Sequence, residues 1–187
     1  MITPGVLTEP TGPLQNKSAW AEASTSQRWF ALRTRYRHEH IVRDQLCAKR
    51  IDPFLPTVTR WSRWKDRKKR IEWPLFEGYC FGRFDMSARL SVLNCVGVIE
   101  IVSLEKRPAP IPDDEINGIR RLVTSGLQYD PHPSLPEGAP ARVVRGPLCG
   151  VVGRLMRKGT NSRLVLSVEL VHAAVSVEVD AADVCAA

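Results

Sequence analysis

PLFEGYCFGRFD, residues 74–85, carries four aromatic side chains, Phe76, Tyr79, Phe81 and Phe84, behind a leading proline. Alternate residues of a strand face opposite ways. Tyr79 and Phe81 therefore share one face, and Phe84 falls on the other unless a bulge intervenes. Just upstream stands RWSRWKDRKKR, residues 60–70, with seven basic side chains and one acid. Core packing explains an aromatic strand. It does not explain why a basic hairpin precedes it, and that asks for partners.

Working outward, RWFALRTR, residues 28–35, reads as a strand. The spacing in YRHEHIVRDQLCAKR, residues 36–50, predicts a helix whose apolar stripe is Ile41, Val42, Leu46 and Ile51. Asp52-Pro53 ends it, because proline disfavours helix in the residue before it. FLPTVTRW, residues 54–61, is rich in β-formers and predicts a second strand. The basic run is then a hairpin tip, and GYCFGRF, residues 78–84, is the next strand. A short helix over 86–96 ends at Gly97, since glycine tolerates a left-handed cap. VIEIVSL, residues 98–104, is a fourth strand, and Asp113 or Asp114 caps a third helix. The first six of these elements match the split βαβ arrangement, an antiparallel sheet with helices on one face.

GLQYDPHPSLPEG, residues 126–138, holds three prolines and reads as a linker. Beyond it short alternating strands follow at close spacing, with a hairpin turn at 158–162. The fold class is α+β. A disordered leader spans 1–27, a mixed domain 28–125, the linker 126–136, and a small five-stranded β-barrel 137–187.

The 187 residues are 43% hydrophobic, enough for each domain to bury a core, and carry a net charge of +7. Residues 137–187 have six basic and five acidic side chains, so +6 of the +7 lies in the first 136. A basic balance favours polyanions. No stretch reaches the roughly 18 apolar residues of a membrane span, and residues 1–27 lack a signal-peptide pattern. Five scattered cysteines without a CxxC pair signal neither a disulfide frame nor a zinc ribbon. His38, Glu39 and His40 form a cluster, but residues i and i+2 of a helix point apart, and a solvated helix start is expected. No catalytic, cofactor or metal site is expected. The expectation is a cytoplasmic monomer with no membrane partner.

Four segments together resemble the NusG family of transcription elongation factors. RWFALRTR resembles the opening strand, PLFEGYCFGRFD the aromatic segment, KRPAPIPDDEI (residues 106–116) the run before the last helix of the N-terminal (NGN) domain, and VVRGPLCGVVG (residues 143–153) the core of a KOW motif. The resemblance covers residues 28–187. It implies an N-terminal domain that docks on the bacterial RNA polymerase clamp through an aromatic depression, with Phe76, Tyr79, Phe81 and Phe84 as candidates to line it. It also implies that the basic tip approaches non-template or upstream DNA, with leader RNA as a further candidate. The nucleic-acid candidates are Arg35, Arg37, Arg60, Trp61, Arg63, Trp64, Lys65, Arg67, Lys68, Lys69 and Arg70. Cations near one loop attract phosphates through counterion release, and a flat ring stacks on an unpaired base. Arg43, Lys49 and Arg50 extend the basic surface. In the KOW region Gly146, Gly150 and Gly153 are read as structural, allowing a tight turn and a strand bend.

By resemblance the KOW barrel is a partner module for a small ribosomal protein or the termination factor Rho. Glu77 stands where the family usually has proline, and Arg33 where some members carry an aromatic. The short basic tip and the Pro-Thr-rich leader point to a specialised, operon-directed antiterminator. A housekeeping factor that couples polymerase to Rho or the ribosome is one alternative. The other is a ribosome-associated KOW protein that binds RNA, which predicts basic charge on the barrel, whereas the barrel is nearly neutral.

Overall fold

The structure is a computed structural model that describes residues 26–64, 67–132, 138–158 and 161–187. For 60–64, 67–70, 157, 158 and 161 it describes the backbone only. The chain is mixed α+β with antiparallel sheets and few helices.

The N-terminal sheet is centred on β1 (Arg28–Thr34), which lies between β5 (Tyr79–Phe84) and β6 (Val98–Ile101). β2 (Asp52–Phe54) forms the edge beside β5, and β9 (Pro110–Ile111) also pairs with β1. The edge position suits Pro53, which has no amide hydrogen to give a second neighbour. The expected strand over 54–61 divides here. Pro56 cannot donate to a ladder, so β2 stops and β3 (Thr57–Trp64) starts a separate hairpin with β4 (Arg67–Pro74). The pairing runs from Thr57 opposite Pro74 to Trp64 opposite Arg67. The Leu75 amide donates to the Pro56 carbonyl at 2.8 Å and closes the hairpin base.

Helices cover both faces of the sheet. α1 (Glu39–Ala48) and the short α2 (Arg89–Leu93) pack on one side, with Val42, Leu46 and Val92 meeting Phe30, Leu32, Cys80 and Phe84. The two helices of the split βαβ unit thus share a face, as its pattern predicts. Helix α3 (Asp113–Thr124) covers the other face with Ile116, Ile119 and Leu122. Its N-cap position is Pro112, without a side-chain cap, so Asp113 and Asp114 sit inside the first turn instead of capping it.

The C-terminal sheet runs in the order β10-β14-β13-β12-β11-β15. β11 (Ala139–Val143), β12 (Val152–Lys158), β13 (Asn161–Val168) and β14 (Ala173–Val179) form on the alternating segments, and β15 (Val184–Ala186) adds a short strand beyond them. A sixth, β10 (Tyr129–His132), comes from the stretch read as linker and pairs with β14. The two sheets do not have separate cores. One buried cluster joins Trp29, Phe76, Phe81 and Ile119 to Val151, Leu164, Leu166 and Val175. Among the described residues no helix is long and apolar enough to cross a membrane.

Candidate functional site

The aromatic segment is divided by strand alternation. Phe81 is 0% exposed on the α3 face, where its ring lies 5.9 Å from Phe76 at 90° and 6.2 Å from Phe54. Tyr79 is half-buried in the same cluster. Phe84 lies on the opposite face, 2% exposed, with its ring 4.8 Å from that of Phe30. The structure thus brings Phe76, Tyr79 and Phe81 together and places Phe84 in the α1 core. The turn into β5 needs Gly78, whose φ is +80°. Arg33 lies directly opposite Tyr79, and Glu100 opposite Arg33. Arg33 and Glu100 pair at 3.2 Å, both more than half exposed, so the pair contributes little stability.

The α3 face is covered by the C-terminal domain. Helix α3 approaches closely at Gly118, where an added Cβ would lie 3.5 Å from Val151 Cγ1 and 3.9 Å from Leu166 Cδ1. One turn on, Arg121 Nη1 donates to the Cys149 carbonyl at 2.9 Å. The Tyr129 hydroxyl donates to the Thr57 carbonyl at 2.7 Å and ties β10 to the hairpin base. Glu115 faces Glu169 across this junction. Burial pushes the Glu115 carboxyl above its usual range, against a hydrogen bond from the Glu169 backbone and with a smaller push from the Glu169 charge. Its Oε2 is buried without a hydrogen-bond partner. On the same helix, the Arg120 guanidinium stacks 5.1 Å from the Trp29 ring and 5.2 Å from Phe54. Its charge is 3.9 Å from Asp52.

The basic candidates divide by what can be described. Lys65 lies outside the described residues, as do the side chains of Arg60, Trp61, Arg63, Trp64, Arg67, Lys68, Lys69 and Arg70. Arg35 and Arg37 are exposed in the turn between β1 and α1. Arg37 adopts a φ of +61°, and its guanidinium lies 5.1 Å from the centre of the Tyr36 ring. Lys49 donates to the Ser91 carbonyl and Arg43 pairs with Asp44 at 2.7 Å.

Two of the KOW glycines, Gly146 and Gly150, have φ of +81° and +85°. At Gly153 a Cβ would stand 2.7 Å from the Val165 carbonyl and 2.8 Å from Leu166 Cδ2. The first two serve a turn and the third a close strand approach.

Glu39 is a correction. The expected solvated helix start is instead 2% exposed at Glu39, and its Oε1 accepts the Gly78 amide at 2.8 Å. The carboxylate replaces a missing backbone partner at the turn into β5. No local pattern announces a contact across 39 residues of chain. Gln45 was missed for the same reason. Its side chain both donates to the Val96 carbonyl and accepts the Val96 amide, each at 2.9 Å, and so ties α1 to the turn before β6.

The profile of the family described as "Transcription termination factor nusG" matches residues 27–120, half of the chain. "Transcription termination/antitermination protein NusG" of Campylobacter jejuni is 23% identical over 134 residues, spanning 66% of this chain and 76% of that protein. A solved structure titled "Domain interaction in Thermotoga maritima NusG" shares the fold at a TM-score of 0.50 and 18% identity, over 86% of this chain and 97% of that one. On the family match, the chain belongs to the NusG family of transcription factors.

Proposed function

We propose that the protein is a transcription elongation factor that docks on the RNA polymerase clamp through the α3 face of the N-terminal sheet. The carrying observation is the gathering of Phe76, Tyr79 and Phe81 on that one face beside Trp29 and Phe54. An apolar, aromatic face of this kind suits a protein partner. Phe76 and Phe81 lend it shape from within, and Tyr79 at its margin is the residue a partner can reach. The basic hairpin then holds the non-template or upstream DNA strand through its phosphates. Bridging the clamp and the displaced strand favours forward translocation over pausing, by binding alone. The C-terminal domain serves as the module for a small ribosomal protein or Rho.

The junction supports the operon-directed form of this role. With Val151, Leu166 and α3 packed over the aromatic cluster, docking requires the C-terminal domain to move away. A factor covered in this way acts where a signal releases it. The test is single-round transcription by purified bacterial polymerase on templates with and without an operon leader. Pause suppression confined to the leader-bearing template is expected. Equal suppression on both returns the chain to a housekeeping role, and no effect on either removes the elongation reading.

A further inference from the structure

We propose that the cleft between α3 and the C-terminal sheet takes a short free peptide, about three residues long, by its two charged ends. The cleft has a volume of about 520 Å³, within the range of small-molecule sites, which favour domain junctions. Asp114, Asn117 and Arg121 of α3 line one wall, and Arg142, Ser167 and Glu169 of the C-terminal domain line the other. Val151 and Leu166 belong to the apolar part of the lining. The site stands apart from the polymerase reading. Its control over docking, argued below, rests on that reading.

Both walls sort their charges in the same direction. Asp114, Asn117 and Arg121 stand at i, i+3 and i+7 of α3 and so share one stripe of the helix. Seven residues put about 10 Å of helix axis between the carboxylate position and the guanidinium position, with the Asn117 amide between them. Glu169 joins the acidic end, because its backbone bonds the carboxyl of Glu115, the neighbour of Asp114. Arg142 joins the basic end. Arg121 donates to the Cys149 carbonyl, and the next amide, that of Gly150, donates to the carbonyl of Val143, the neighbour of Arg142.

These charges do not neutralise one another. Among the described residues no ion pair crosses the cleft, and the side chains of Asp114, Asn117, Arg142 and Glu169 make no hydrogen bond. A ligand that completes both ends carries an ammonium at one and a carboxylate at the other, which arginine takes in paired hydrogen bonds. An extended chain spans about 3.3–3.6 Å per residue. A single α-amino acid is therefore too short, and three residues reach both ends. Asn117 and Ser167 offer donors and acceptors to the peptide units between. No aromatic ring lines the cleft among the described residues, so nothing there stacks a nucleobase. A peptide held by both walls stabilises only the closed junction and keeps the α3 face covered.

The test is a two-dimensional NMR titration of the full chain with trialanine, followed at the amides of Asn117, Gly118, Val152 and Ser167. Saturable shifts are expected. N-acetyl-trialanine, which lacks the ammonium, and trialanine amide, which lacks the carboxylate, should each bind at least about tenfold more weakly, the worth of one hydrogen bond to a charged group. Free alanine should give no saturable shift. Asp114 and Arg142 are both exposed, so their variants should keep the fold. Arg142→Gln should weaken trialanine and leave its amide unaffected, and Asp114→Asn should weaken trialanine and leave its acetylated form unaffected. At ten times its dissociation constant, trialanine should lower the affinity for core polymerase about tenfold. Equal shifts from free and blocked peptides, or no saturable shift from any, overturn the site. Saturable binding that leaves polymerase affinity unchanged keeps the site and overturns its control over docking. A chain that binds no polymerase removes the docking reading and that control together, and the titration alone then decides the site.

Discussion

Gly118 decides how closely the two domains approach, and substitution there separates helix stability from domain closure. The residue lies inside α3, buried against the C-terminal sheet. Glycine in a helix interior is about 0.8–1.0 kcal/mol less favourable than alanine. An alanine Cβ would stand 3.5 Å from Val151 Cγ1 and 3.9 Å from Leu166 Cδ1, both ordinary contacts. Gly118→Ala should therefore gain about 1 kcal/mol with the junction closed, which raises Tm by roughly 2–4 °C for a chain of this size. Gly118→Leu improves the same helix but puts its branch where Val151 and Leu166 already lie. Overpacking costs about 1–3 kcal/mol, and the junction is the place to relieve it. Thermal unfolding by circular dichroism reads the first effect. Hydrogen exchange at Val151 and Leu166 reads the second, as faster exchange in Gly118→Leu alone. A Gly118→Ala variant that loses stability, or a Gly118→Leu variant with native exchange at both positions, would refute the packing described for α3.

Glu115 supplies a pH dependence. Its carboxyl is raised above the ordinary 4.5 chiefly by burial, so its stabilising contribution is present below that value and is lost as pH rises through the folded-state value. Glu115→Gln should match the wild type in acid and exceed its Tm at neutral pH, read by scanning calorimetry across that window; a constant difference at all pH values would contradict the assignment. Burial pushes the Cys80 thiol up to about 12, and Cys95 is also buried. Ellman's reagent on the native protein should therefore titrate the exposed Cys47, Cys149 and Cys185 first, with Cys80 and Cys95 reacting on denaturation. Glu39→Ala leaves the Gly78 amide without its partner and should cost about 1–3 kcal/mol in urea unfolding, whereas an unchanged midpoint would mean that water replaces the carboxylate.

Much of the N-terminal fold is legible because period and punctuation agree. Strand alternation in residues 79–84 separates Tyr79 and Phe81 from Phe84 before any contact is known, and the structure keeps that division. The α1 stripe is legible in part. Val42, Leu46 and Ile51 are buried, but Ile41 is 46% exposed, since it lies about a quarter-turn from Val42 on the helix. Ser103 and Leu104, the end of the strand expected over 98–104, instead form β7 of a small hairpin with β8 (Arg107–Pro108), which no pattern in the sequence announces. Its turn residues, Glu105 and Lys106, both have positive φ, a conformation usually signalled by Asn-Gly. Domain closure had no local signature. Gly118 reads as a mild flaw in a helix until Val151 and Leu166 are found against it, because contacts across a domain junction leave no periodic trace.

The central claim is that the α3 face of the N-terminal sheet is the polymerase-docking surface. Phe81 is a poor probe, because removing a fully buried phenylalanine costs about 3–5 kcal/mol of stability whatever the face does. Tyr79, half-buried at the margin, is the better one. The measurement is the affinity of purified bacterial core polymerase for the wild type, Tyr79→Ala and Gly118→Leu, each with its fold verified by circular dichroism. Tyr79→Ala should bind at least about tenfold more weakly, as truncation of an aromatic anchor does, and Gly118→Leu should bind more tightly than the wild type because its face is uncovered. Equal affinities for all three would place the docking surface elsewhere.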